Sequence, residues 1–146
     1  MFYGEYTHTL DKKGRLIIPS RFRDAIQETG ADKLYITRGL EQCLFVFAEN
    51  EWKTQEAKFK SMPFMKSGVR RFKRVYYSGA VEAEPDKQWR ILIPDYLRDY
   101  AHLTQSIRII GVSDRFEIWD ASKWKEFYES AKKEYESIAE NLMDEA

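Results

Sequence analysis

Two short stretches hold the residues best suited to chemistry: Asp11-Lys12-Lys13-Gly14-Arg15 and Asp86-Lys87-Gln88-Trp89-Arg90. Brought together, the carboxylates of Asp11 and Asp86 would form the paired acids of general acid–base catalysis. No histidine, cysteine or serine recurs beside them, and no glycine-rich loop is present to cradle a phosphate. Catalysis is therefore disfavoured, and no catalytic residue, cofactor or metal ligand is assigned. The spacing Asp-x-x-x-Arg has a structural reading instead. Across a tight turn, residues four apart face one another, so Asp11 can lock Arg15 and Asp86 can lock Arg90 by a charge-assisted hydrogen bond. That accounts for the aspartates and leaves the cations over. Lys12, Lys13 and Arg15 crowd one turn, and Lys87 and Arg90 the other. On a projecting two-stranded ribbon, such side chains reach the phosphates or guanine edges of a DNA major groove.

The two stretches belong to a longer repeat. DKKGRLIIPSRFRD at 11–24 returns as DKQWRILIPDYLRD at 86–99, and the match extends back to Gly4 and Gly79. Further on, LYITRG resembles IRIIGV, and LFVFAENEWK resembles EIWDASKWK. Nearly the whole chain is a tandem duplication, and a repeat of this kind governs the fold.

Each copy divides into the same elements, which make the fold α+β and mainly β. Residues 5–10 and 80–85 alternate in polarity as half-buried strands do. The turn follows, with Gly14 at a position needing positive φ in a hairpin with a bulge. The aliphatic runs LIIP and ILIP read as buried return strands, ended by Pro19 and Pro94. Ser20 and Asp95 then stand where a helix N-cap is wanted. Phe22, Ala25 and Ile26 fall at helical spacing, with Gly30 as the stop. Strands are predicted over about 34–38, 44–48, 107–112 and 116–119. A helix follows each pair, with Asn50 and Ser122 as candidate N-caps and Trp52 and Trp124 in matching first turns. The last helix, over about 123–142, carries an apolar stripe of Trp124, Phe127, Ala131, Tyr135, Ile138 and Leu142, fit to cover its own core or a neighbouring subunit. Its opposite face is acidic.

The repeats are taken to span 1–62 and 79–146. The segment 63–78 between them is basic, with one helix ending near Met62 and a second over about 67–76. Residues 58–74 hold seven Lys and Arg and no acid, making Arg70, Arg71, Lys73 and Arg74 a second candidate phosphate-facing patch. Over the whole chain net charge is zero, yet residues 1–75 carry +6 and residues 76–146 carry −6. Such asymmetry points to a polyanion partner for one half, or to head-to-tail pairing of opposite faces. No stretch approaches the length of a membrane helix, and the N-terminus lacks the pattern of a signal peptide. Cys43 is the only cysteine and the two histidines lie far apart, so neither a disulfide nor a thiolate metal site is expected. These features suit a cytoplasmic protein without a membrane partner or an evident small-molecule substrate.

Two copies of D-x-x-x-R, each followed by an aliphatic run and proline, resemble the bacterial MraZ family. The passage RRFKRVYYSGAVEAEPD leading into the second copy strengthens the likeness, which covers essentially the whole chain. More distantly, the unit resembles the swapped-hairpin domain of AbrB-type transition-state regulators and related antitoxins. The resemblance implies a tandem swapped-hairpin, β-barrel-like unit with flanking helices and a pseudo-two-fold axis within one chain. It further implies a nucleoid-associated DNA-binding transcriptional regulator of the cell-division and cell-wall gene cluster that includes its own gene. Subunits would associate into rings on repeated promoter sites, with Asp11 to Arg15 as the main DNA-contacting element and Asp86 to Arg90 as its partner. The chain departs from the pattern at Trp89, where glycine is expected. Tryptophan is unfavourable at positive φ, so the second turn is expected to adopt another conformation and to contact DNA less. The rival reading is an oligomeric scaffold whose basic patches bind acidic protein.

Overall fold

A strand edge left unpaired within one copy must find its ladder elsewhere, and here the two copies supply each other's. The computed structural model describes residues 1–145; Ala146, the last residue assigned above to the second repeat, lies outside the described residues. The first repeat runs β1 (Glu5–Thr9), β2 (Arg15–Ile17), α1 (Ser20–Glu28), β3 (Leu34–Arg38), β4 (Leu44–Ala48) and α2 (Glu49–Lys60). Helix α3 (Ser67–Gly79) leads into β5 (Val81–Ala83), β6 (Arg90–Leu92), α4 (Asp95–Tyr100), β7 (Ser106–Gly111), β8 (Phe116–Asp120) and α5 (Ala121–Glu145).

The predicted hairpins β3–β4 and β7–β8 form, built from apolar and β-branched residues that favour a buried pleated surface. The first strand of each repeat does not pair with the strand that follows its turn. Strand β1 joins β7 of the second repeat, with Glu5 opposite Ile110, and β5 joins β3 of the first, with Ala83 opposite Leu34. Strands β4 and β8 pair at the centre, giving a six-stranded sheet in the order β1-β7-β8-β4-β3-β5. Under the exchange of β1 with β5, β3 with β7 and β4 with β8, that order reads the same from either end. The remaining strands, β2 and β6, pair only with each other as a separate two-stranded ribbon. The fold is thus the swapped-hairpin, mixed α and β arrangement, while a local hairpin of β1 with β2 is replaced by an exchange between repeats.

One core serves both copies. Leu16, Ile18 and Phe22 of the first repeat and Ile91, Ile93 and Leu97 of the second are buried in it. The rings of Phe2, Phe22 and Phe116 lie 5.1 Å from one another. A second, aromatic cluster fixes α2 and α3: Tyr76 stacks between Trp52 and Phe72, at 5.7 and 5.2 Å, and Tyr35 stacks on Trp52 at 5.0 Å. The third cluster seats the start of α5, where Trp124 and Phe127 lie 5.3 and 5.0 Å from Trp119.

The predicted caps are displaced. Helix α2 begins at Glu49, directly after β4, so Asn50 lies inside it and no side chain caps it. Glu49 and Glu51 instead place negative charge against the dipole of its first turn. For α5 the cap is Asp120 rather than Ser122: its Oδ2 accepts the N–H groups of Ser122 and Lys123. Helices α1 and α4 start at Ser20 and Asp95 behind Pro19 and Pro94, so those prolines take the cap position without a side-chain bond. The last helix is longer than the pattern indicated, and its stripe divides. Trp124, Phe127 and Ala131 are half-buried, whereas Tyr135, Ile138 and Leu142 are exposed.

Candidate nucleic-acid interface

The ribbon is short enough that its register fixes every side chain on it. Arg15 stands opposite Leu92, Leu16 opposite Ile91 and Ile17 opposite Arg90. With a side-chain period of two, residues 16 and 91 face the core and residues 15, 17, 90 and 92 face outward. Leu16 and Ile91 are each 1% exposed, while Ile17 is 43% and Leu92 58% exposed. The aliphatic runs are therefore not wholly buried scaffold. The middle residue of each aliphatic run, Ile17 or Leu92, is surface, and sequence reasoning missed these two as part of that face. The signal was the period-two alternation starting from Arg15 and Arg90. The outward face thus carries two arginine–aliphatic pairs related by the pseudo-two-fold, with the arginines on the diagonal, a separation of about 7–8 Å.

Each arginine is held by its own turn. The amide N–H groups of Lys13 and Arg15 donate to Asp11 Oδ1 at 2.9 Å, and Arg15 Nε donates to Oδ2 at 2.8 Å. In the second copy, Gln88 and Arg90 amides donate to Asp86 Oδ1 at 2.9 Å, and Arg90 Nε donates to Oδ2 at 2.8 Å. The Arg15 amide is the strongest influence holding the Asp11 carboxyl below its usual range. It outweighs the opposing loss of solvent, and the guanidinium and the Lys13 amide add to it. Asp86 is held down in the same way by Arg90 and Gln88. Both aspartates are thereby consumed within their turns. The ribbon register sets the turns at opposite ends, so the two carboxylates do not form a catalytic pair. The bridges occupy Nε, and among the described residues the Nη atoms of Arg15 and Arg90 take no hydrogen-bond partner.

The second turn corrects the expectation drawn from Trp89. Its φ is 59°, close to the 80° of Gly14, and its backbone bonds repeat those of the first turn. The left-handed region costs a non-glycine residue about 1–2 kcal/mol. Half-burial of the indole against the main core offsets an amount of that order, roughly 1–1.5 kcal/mol. Gly14 has a different constraint: a Cβ there would come within 2.9 Å of the Arg98 guanidinium, which lies over the first turn. Arg23, the counterpart of Arg98, instead donates from Nε to the Ile18 carbonyl. Each turn is also braced by the other repeat, since Ile18 N–H donates to Trp89 O at 2.8 Å and Ile93 N–H to Gly14 O at 2.9 Å.

Lys12, Lys13 and Lys87 are exposed on the turns, beside the outward arginines. The structure therefore gathers Lys12, Lys13, Arg15, Lys87 and Arg90 around one ribbon, positioned by Asp11, Gly14, Asp86 and Trp89, with Pro19 and Pro94 closing its strands. The second patch is elsewhere, on α3, which packs on β3 of the larger sheet. Within it Arg71 and Arg74 are exposed and Lys73 is half-buried. Arg70 closes the preceding turn by donating to the carbonyls of Phe64 and Met65. Among the described residues no helix is long and apolar enough to cross a membrane, and no cluster of three or more His, Cys, Asp or Glu could hold a metal ion. A family model described as "MraZ protein, putative antitoxin-like" matches the chain twice, over residues 1–75 and 76–145.

Proposed function

The chain belongs to the MraZ family, and from that premise we propose that it is a non-enzymatic, sequence-specific DNA-binding transcriptional regulator. Its site is the β2–β6 ribbon, and its targets are repeated short sequences upstream of the cell-division and cell-wall genes that include its own. The observation that carries this reading is the outward pair Arg15 and Arg90, each aimed by an aspartate through Nε with its Nη donors left over. A guanidinium held in that way is pre-set for the O6 and N7 of a guanine, and the neighbouring Ile17 and Leu92 suit thymine methyl groups. Lys12, Lys13 and Lys87 flank the ribbon at the level of the phosphates, which fix position without reading sequence. One ribbon makes few contacts. A homo-oligomeric ring presenting several in register multiplies weak affinity through effective concentration. Such a protein acts in the cytoplasm, on the nucleoid.

The test is a titration of a fragment from upstream of its own gene, at several salt concentrations. The logarithm of the binding constant should fall with the logarithm of salt by about 0.9 per phosphate neutralised. Arg15→Ala should weaken specific binding by about 1–3 kcal/mol per engaged ribbon while leaving fold and assembly intact. Arg90→Ala should do the same, because its geometry repeats that of Arg15. Salt-independent binding, or a variant that loses its fold, would instead make the arginines turn locks and favour an acidic protein partner.

A further inference from the structure

The distal half of α5 is a helix without a partner. From Lys132 onward every residue whose exposure is described is exposed, although Tyr135, Ile138 and Leu142 continue the stripe that Trp124 and Phe127 bury at the helix start. These three fall at i, i+3 and i+7, the anchors of a helix that lies in a groove. The free segment is about 20 Å long, and an isolated helix of that length is marginal in water unless something covers its apolar side. Residues 134–144 add Glu134, Glu136, Glu140 and Asp144 and contain no base.

A groove of about 740 Å³ opens between α2, α3 and the ends of β3 and β4. Phe59, Val69 and Phe72 lie along it, and Leu40, Met62 and Val75 stand exposed at its mouth. Its borders are cationic, with Arg38 and Lys58 in the lining and Arg71 and Arg74 exposed along α3. The one acid in the lining, Asp114, is paired with Arg115. Because α5 is seated on β7 and β8, its free half leaves from the second repeat, whereas the groove is formed mainly by β3, β4, α2 and α3, with Tyr100, Asp114 and Arg115 of the second repeat at its edge.

We propose that the Tyr135–Ile138–Leu142 stripe of α5 docks in the α2–α3 groove of a second copy of this chain, head to tail. Charge selects this pairing over the alternatives. Two α5 helices side by side would align acid with acid, and two grooves face to face would align cation with cation; only helix in groove matches opposite signs. The contact joins unlike surfaces, so each subunit offers one helix and one groove, and assembly continues until a ring closes or a filament grows. This deepens the homo-oligomeric part of the function proposed above and rests on it.

The full chain is compared by sedimentation with two variants at exposed positions, Ile138→Asp/Leu142→Asp and Val75→Asp. Each should fall to the mass of one chain and keep a single cooperative melting transition, at a temperature lowered by the loss of assembly. An equal mixture of the two should give a two-chain species and nothing larger, since one supplies an intact groove and the other an intact helix. A second pair, Glu134→Lys/Glu140→Lys and Arg71→Glu/Arg74→Glu, should each assemble poorly alone and recover when both reversals share one chain. Variants that assemble as the wild type does, or a mixture that stays single, would overturn this contact while leaving oligomerisation standing. A wild-type chain that is itself single at all concentrations would overturn both.

Discussion

Asp11 and Asp86 each bind two amide N–H groups and one guanidinium, so the charge on the carboxylate is what organises the turn. Both pKa values are lowered in the folded protein from the ordinary 3.8. A lowered value means the folded state holds the carboxylate in its charged form. The resulting stability is present in full above the ordinary pKa and disappears as pH falls through the folded value. The double variant Asp11→Asn/Asp86→Asn keeps an oxygen for the amides and loses the charge. Melting temperatures from neutral to acid pH should show the wild type ahead at neutrality and level with the variant in acid. A gap that does not change with pH would remove the charge from the account. The lock between Asp and Arg was legible in the spacing alone, because residues four apart across a turn have few other places to go. The exposure of Ile17 and Leu92 was legible only as a period-two alternation with Arg15 and Arg90, because which face of β2 is wet is settled by β6, seventy-odd residues away. Trp89 was misread for a related reason: the local cost of its φ is visible in sequence, and the core that offsets it is not.

At the level of elements, α3 is held chiefly by stacked rings. Tyr76 is 5% exposed, lies between Trp52 and Phe72, and meets Phe59 edge-on at 5.2 Å. Tyr76→Ala removes the middle of that stack from a site the rigid sheet beneath cannot collapse. A buried large aromatic cut to alanine costs about 3–5 kcal/mol, and urea unfolding should show a loss of that size together with increased proteolysis in 61–66. A loss below about 1 kcal/mol would mean α3 is anchored by its backbone contacts instead. Strands β3, β4, β7 and β8 were legible because continuous apolar runs with turn residues between them admit little else. The helix boundaries were less so. Asn50 has the chemistry of a cap, but β4 passes straight into α2 and leaves it inside the helix. Asp120 caps α5 while sitting at the end of a strand, where an apolar reading of FEIWD hides it.

On the scale of the whole molecule, the duplication acts as a dimer joined in one chain. The sheet order, the ribbon and the two braces from Ile18 to Trp89 and from Ile93 to Gly14 all cross between repeats. The repeated residues showed that the copies exist, and the exchange was implied by the family resemblance; spacing alone does not give it, since consecutive strands usually pair locally and both arrangements bury the same residues. The exchange has a consequence for either half taken alone. A chain of residues 1–79 keeps β3, β4, α2 and α3, yet its β1 has no β7, its β2 has no β6, and the outer edges of β3 and β4 are bare. Leu16, Ile18 and Phe22 would lose the Ile91, Ile93 and Leu97 side of their shared core. Such a fragment cannot reach the native burial as a monomer, but two of them can, with each β1 on the other's β3 and the two β2 strands forming the ribbon. Its folding should therefore depend on concentration, with a melting temperature that rises as protein is added. The folded species should sediment as two fragments and carry two copies of the Gly14 turn. A fragment that folds as a single chain, with a melting temperature indifferent to concentration, would show that the repeats are independent domains and that the strand exchange is not what holds the ribbon together.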